Sequence, residues 1–221
     1  MTSTQLTQSE VRTVIIGAML ALFLAALDQT VVSTALPAIA RDLGDFALIS
    51  WIVTAYLLTS TCVTPIFGKL SDLYGRRVAL RACLALFMLG SALCAIATDM
   101  IELALARGLQ GIGGGAIMTL TLTIIGDVVS PRERGRYQGY FSIVWAGSAI
   151  LGPMLGGVMT ERLGWPSIFW INLPLGLLAL LVCDRVLKKL PLEPSRGRIE
   201  YGNALLLSTA TVALRSGKLS S

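Results

Sequence analysis

Two ionisable side chains stand where charge is expensive. Asp28 lies inside the apolar run at residues 14–38, and Arg107 lies inside the run at 101–126. A charged residue at the centre of a bilayer costs roughly 2.5–3.5 kcal/mol on insertion scales. A residue retained there needs a partner and is a functional-site candidate. A carboxylate can take up and release a proton. Desolvation strengthens its hold on the proton, and a neighbouring guanidinium favours the ionised form. By helical rise, Asp28 sits about 15 Å and Arg107 about 9 Å below the same end of their spans. If the two spans face one cavity, the charges can pair directly, through water, or through Gln110. A fixed structural ion pair is the competing account.

The elements that must position these residues follow from composition. The chain has 221 residues, 54% hydrophobic and 14% charged, with mean hydropathy +0.73. Soluble domains carry about 25% charged residues. Six runs are long and apolar enough to span a bilayer, at about 14–38, 46–67, 78–97, 101–126, 137–159 and 168–186. Only helices satisfy their own backbone groups over runs of this length in lipid. The expected fold is therefore an all-α membrane protein of six helices, with sequential neighbours antiparallel. Residues 1–13 form a polar tail, 14–187 the six-helix domain and 188–200 a charged linker. Residues 201–221 hold an incomplete seventh apolar segment and a tail. Its apolar part, 204–214, spans only about 16 Å as a helix, short of the roughly 30 Å hydrocarbon core. It looks like a beginning without its continuation.

Basic residues set the orientation. Thirteen Lys and Arg fall on one side, among them Arg12, Lys69, Arg76, Arg77, Arg132 and Lys188, while Arg41 and Arg162 fall on the other. By the excess of basic residues on the cytoplasmic side, the N-terminus is cytoplasmic. The net charge of +5 is therefore a feature of topology, and no nucleic-acid partner is expected. The chain has no histidine. Its four cysteines, Cys62, Cys83, Cys94 and Cys183, lie singly in apolar surroundings without a CxxC, which fits buried packing. No metal spacing and no nucleophile–base pairing is present, so an enzyme is the least favoured class.

One loop is unusually charged. GKLSDLYGRR, residues 68–77, joins the second and third runs. Gly68 and Gly75 suit a tight turn and close helix approach. Asp72 is expected near the start of a short helical turn, with Arg76 within i,i+4 reach, giving a compact charged clasp. Asp127 ends the fourth run on the same side and completes a candidate cluster.

This stretch resembles the 2–3 loop signature of the major facilitator superfamily. LDQTVVSTALP (27–37) is similar to the first-helix motif of its fourteen-helix drug:proton antiporters. RGLQGIGGG (107–115), GPMLGG (152–157) and IFWINLPLG (168–176) resemble that branch's fourth-, fifth- and sixth-helix motifs, in the expected order. The sequence departs where Trp165 is followed by Pro166 and Ser167 instead of a basic–aromatic pair. The resemblance implies the N-terminal six-helix domain of a transporter whose C-terminal domain is missing here. It implies proton-coupled efflux of a lipophilic or cationic small molecule by alternating access, with the proton as coupling ion and no other cofactor. It also implies a lipid bilayer, the plasma membrane and most simply a bacterial inner membrane. Asp28, Arg107 and Gln110 would then handle the proton. Gly68, Asp72, Gly75, Arg76, Arg77 and Asp127 would form a cytoplasmic gate, and Gly152, Pro153, Gly156 and Gly157 an antiporter motif that bends the fifth helix. The alternative function is a truncated membrane protein that does not transport and acts as an assembly or interaction partner.

Other positions admit plainer readings. Gly111 and Gly115, like Gly152 and Gly156, have the spacing that lets helices approach in lipid. Gly113 and Gly114 read as packing glycines, and GIGGG lacks the spacing and the βαβ setting of a dinucleotide fingerprint. Trp51, Tyr56, Phe141 and Trp145 are candidates to line a cavity for aromatic or cationic ligands, although most aromatics in spans face lipid or the interface. Thr119, Thr121 and Thr123 are expected to bond to their own helix.

Overall fold

The computed structural model describes residues 8–129 and 132–187. The linker and the seventh apolar stretch lie outside the described residues. Those that are described form α1 (Gln8–Leu43), α2 (Ile49–Tyr74), α3 (Arg76–Ile96), α4 (Met100–Val128), α5 (Arg134–Leu163), the single turn α6 (Ser167–Trp170) and α7 (Asn172–Leu187). Six segments are long and apolar enough to cross a membrane, with α6 and α7 together making the sixth. At 36 residues, α1 extends about 54 Å, well beyond the hydrocarbon thickness, and it begins at Gln8, inside the expected tail.

The connections are short and locally specified. Gly75 separates α2 from α3 with φ +87°, a conformation that costs a glycine little. Asp99 caps α4 by accepting from the Glu102 amide at 2.8 Å, and Glu102 Oε2 reaches back to the Thr98 amide at 2.9 Å. Gly164, at φ +83°, ends α5.

Of the sequential pairs, only α3 and α4 are main packing partners. The closest pairings are α2 with α4, α3 with α4, and α1 with α5, while α7 lies against α1 and α3. Glycines on α4 make this possible. A Cβ at Gly111 would stand 2.5 Å from the Tyr56 carbonyl oxygen, one at Gly113 would stand 2.5 Å from the Phe87 nitrogen, and one at Gly114 would strike the Tyr56 hydroxyl. On α5, Gly152 faces Thr30 and Gly156 faces the Val31 carbonyl, so α5 closes on α1. By contrast, a Cβ at Gly157 or Gly68 would meet nothing within 4 Å. Gly68 is a helical residue of α2 and serves neither the turn nor a close approach, contrary to the expectation from its type.

Two apolar cores fill the bundle. One joins Ala21 and Ala25 of α1, Leu84 and Phe87 of α3, Ile117 and Leu120 of α4, and Ala179 of α7. The other joins Val31 and Ala35, Cys94, Leu103, Trp165 and Phe169. Between them, each of these helices contributes a buried polar residue. Asp28, Ser91, Arg107, Gln110 and Asn172 are all at most 2% exposed.

Candidate functional site

These five residues form one hydrogen-bonded layer. Arg107 NH1 donates to Asp28 Oδ2 at 2.7 Å and to Gln110 Oε1 at 2.8 Å. Gln110 Nε2 donates to Asp28 Oδ1 at 2.9 Å. Asn172 Nδ2 donates to the same oxygen at 2.7 Å and to Ser91 Oγ at 2.9 Å. Ser91 then donates to the Phe169 carbonyl at 2.9 Å. Cys94 Sγ lies 3.5 Å from Gln110 Oε1. The Tyr56 ring lies under the guanidinium, with 4.2 Å from Cζ to the ring centroid, a cation–π contact that is strengthened when desolvated.

The geometry fits an ionised carboxylate. Asp28 accepts from three donors on two other helices, and the arginine neutralises it. An unpaired buried charge would be strongly destabilising, and close hydrogen bonding is what makes such a pair tolerable, although the Arg107 Nε is buried with no hydrogen-bond partner among the described residues. Sequence reasoning named Asp28, Arg107 and Gln110 but missed Asn172 and Ser91. A neutral polar residue in an apolar run gives no sign of what it faces. The available signal was that a buried carboxylate offers about four acceptor positions, more than Arg107 and Gln110 fill.

At the basic end of the bundle, Arg76 opens α3 and bridges two helices. Its NH1 lies 2.6 Å from Asp72 Oδ1 and also bonds Ser71, and its Nε donates to Asp127 Oδ2 at 2.9 Å. Asp72 lies in the last turn of α2, not at the start of a new turn, because α2 continues to Tyr74 and only Gly75 interrupts the helices. Arg77 does not join this cluster. Successive residues point about 100° apart on a helix, and Arg77 Nε instead donates to Asp184 on α7 at 2.8 Å, where Arg81 also pairs. Asp184 therefore ties α3 to α7, a link that sequence reasoning did not anticipate.

The aromatic candidates do not share one wall. Tyr56 is sealed beneath Arg107, and Phe141 packs against Ile15, Ile125 and Val129. Trp51 is 53% exposed and Trp145 is half-buried. Of the four, Tyr56 touches the polar layer. Thr119 and Thr123 bond to their own helix, but Thr121 donates to the Ala18 carbonyl of α1 at 3.2 Å. Pro153 lies within α5, directly after Gly152 at the contact with α1.

Known proteins agree with this architecture. The chain is 44% identical over 181 residues to the multidrug transporter protein MdtP of Bacillus subtilis (strain 168), covering 82% of this chain and 34% of that protein. It is 39% identical over 214 residues to multidrug resistance protein 3 of the same organism, covering 97% and 42%. It is 42% identical over 191 residues to efflux pump FUS6 of Gibberella fujikuroi, covering 84% and 34%. The chain thus spans about a third to two-fifths of the curated relatives it matches. Its fold is similar to the crystal structure of the human organic anion transporter MFSD10 (TETRAN), with a TM-score of 0.73 at 22% identity, covering 88% of this chain and 52% of that one. The family model described as Major Facilitator Superfamily matches residues 18–218. The chain belongs to the Major Facilitator Superfamily.

Proposed function

We propose that this chain is the proton-handling part of a multidrug efflux transporter that works by alternating access and exchanges protons for lipophilic or cationic small molecules. The observation that carries the reading is the buried Asp28 carboxylate held by Arg107, Gln110 and Asn172. Ionised Asp28 and Arg107 compensate each other. A proton on Asp28 leaves the guanidinium uncompensated in a medium where charge interactions are strong. A cationic substrate close by would add to that excess. Proton and cation therefore disfavour one another, which is the requirement for exchange. The names of the relatives support export of drugs, and the basic end of the bundle supports an N-terminus in the cytoplasm. A bacterial inner membrane is the simplest setting.

The Asp72–Arg76–Asp127 cluster would act as a latch on the cytoplasmic face, stabilising one state. Partly exposed pairs contribute about 0–1 kcal/mol each, enough to shift populations without governing the fold. Neutralising Asp72 is expected to change the transport rate, and unchanged transport would remove the latch. Gly152, Pro153 and Gly156 would let α5 bend against α1 during the same transition.

The test is export of a fluorescent cationic dye from efflux-deficient bacteria. The full chain would be expressed alone and as a chimera replacing the matching segment of a curated multidrug relative, with and without a protonophore. Protonophore-sensitive export that Asp28→Asn reduces to background is the expected result. Full-rate, proton-dependent export by Asp28→Asn would refute the coupling role, and no export in either form would refute the transport reading.

A further inference from the structure

We infer that Asn172 is a positioning residue that carries the protonation state of Asp28 to the break between α6 and α7, with Ser91 as the second step. The inference rests on the proton reading of Asp28 above and follows from counting hydrogens.

In the observed arrangement, Asn172 uses both Nδ2 hydrogens, one on Asp28 Oδ1 and one on Ser91 Oγ. Ser91 is thereby an acceptor toward Asn172, so its own hydrogen is free for the Phe169 carbonyl. Every group bonded to the Asp28 carboxylate is a donor. A proton arriving on Oδ1 must itself find an acceptor. Gln110 Oε1 already serves Arg107 and Cys94. Asn172 Oδ1 has no hydrogen bond among the described residues. A half-turn of the Asn172 amide puts Oδ1 where Nδ2 stood and carries both Nδ2 hydrogens to the side that Oδ1 faced, where water has to take them. It then accepts from protonated Asp28 and from Ser91. The single Ser91 hydrogen cannot serve two acceptors, so the Phe169 carbonyl is released. The only atom gained is the proton on Asp28, which comes from solvent.

The released carbonyl sits where the sixth span is least supported. Pro174 has no amide hydrogen, so the Trp170 carbonyl has no donor four residues on. The Ile171 amide bonds back to the Ser167 carbonyl, and the Leu175 amide to the Ile171 carbonyl at a long 3.4 Å. Beyond the break α7 is fixed. A Cβ on Gly176 would meet Met88 Cγ of α3 at 2.6 Å, and Asp184 pairs with Arg77 and Arg81. Loss of the Ser91 bond therefore loosens the α6 side of the break, which keeps its Trp165–Asp42 and Ser167–Met159 bonds, and leaves α7 in place.

The titratable groups facing Asp28 are Arg107 from α4, Tyr56 from α2 and Cys94 from α3, while α7 brings the uncharged Asn172. Asp28 is the carboxyl group among them. The experiment is hydrogen exchange of the full chain in lipid nanodiscs, in mildly acidic and mildly alkaline buffer, corrected for intrinsic exchange. It is read at a peptide covering residues 168–176, because local opening sets exchange there. The wild-type chain is expected to exchange several-fold faster at this peptide in acid. In Asn172→Ala and in Ser91→Ala, exchange should be fast in both buffers and the pH step should vanish. A residue that merely supports the fold would raise exchange and keep the step. A step that persists in Asp28→Asn would show that Asp28 is not the proton site, and the proton reading and the relay would fall together. A step lost in Asp28→Asn but intact in Asn172→Ala and Ser91→Ala would leave the proton reading standing and overturn the relay. A wild-type chain without the step would also overturn the relay.

Discussion

Gly115→Ala tests whether the polar layer depends on the close seam between α2 and α4. A Cβ at this position would strike the Ser60 carbonyl oxygen and stand 2.5 Å from Ser60 Cα and 2.7 Å from its carbonyl carbon. Carbon atoms in contact prefer about 3.5–4.0 Å. The obstacle is main chain and cannot rotate away, so the two helices must part by about 1 Å. Overpacking of this kind costs about 1–3 kcal/mol. A glycine-to-alanine change inside a helix also gains up to about 1 kcal/mol in propensity, which would blur the measurement of one variant alone. Gly157→Ala supplies the control, since its Cβ would meet nothing within 4 Å and it too lies inside a helix. Subtracting the two removes the propensity contribution and leaves the overpacking. Reversible unfolding in mixed detergent micelles, followed by tryptophan fluorescence, should place Gly115→Ala about 1–3 kcal/mol below Gly157→Ala. Tyr56 lies one turn from Ser60 on α2, so the same movement should lift its ring from Arg107 and, on the proposed function, weaken proton-dependent export. Stabilities within about 0.5 kcal/mol of each other, the usual range for changes that touch nothing, would refute the close seam.

Two further outcomes follow from the packing. Trp165→Phe keeps an aromatic ring but removes the Nε1–H donated to Asp42 at 2.7 Å, the bond that ties the start of the sixth span to α1. Its loss should cost about 1–2 kcal/mol in the same unfolding assay, toward the low end for a bond to a carboxylate because the site is only partly buried, and unchanged stability would show that the bond contributes nothing. Cys83, Cys94 and Cys183 are at most 3% exposed, while Cys62 is half-buried. Maleimide treatment of the folded chain with mass readout should leave those three unlabelled until denaturation, and labelling of any of them as fast as Cys62 would contradict the buried packing.

The six spans were legible because length and hydropathy suffice to identify a helix in lipid. The Asp28–Arg107 encounter was legible for a related reason, since two opposite charges at comparable depth in an apolar medium have strong cause to meet. Loop geometry was less so. Residues 68–77 read as a loop because glycine and charge are what loops usually carry, yet the structure requires a positive φ only at Gly75. Residue type does not distinguish a glycine that must be one, such as Gly115, from one in open space, such as Gly68. The partner of Asp184 was hidden because its charge lies among basic residues that also read as topology. The 100° step between neighbours on a helix is enough to say that Arg76 and Arg77 face different partners.

Asn172 and Ser91 mark the limit more sharply, and also the way past it. Hydropathy treats a lone asparagine or serine in an apolar run as a tolerated defect, because either can bond to its own helix. Hydrogen-bond accounting treats them differently. In this geometry Arg107 and Gln110 place one donor each on the carboxylate, and a third comes from a neutral residue on another span. Asn172, at the start of the last described helix, is close enough to supply it. Once it does, its second hydrogen must also go somewhere, and Ser91 receives it. Each satisfied group thus specifies the next, until the chain of bonds reaches a main-chain carbonyl at a break in a helix. On the proposal above, a proton on Asp28 is therefore felt at the Phe169 carbonyl through two residues that carry no charge of their own.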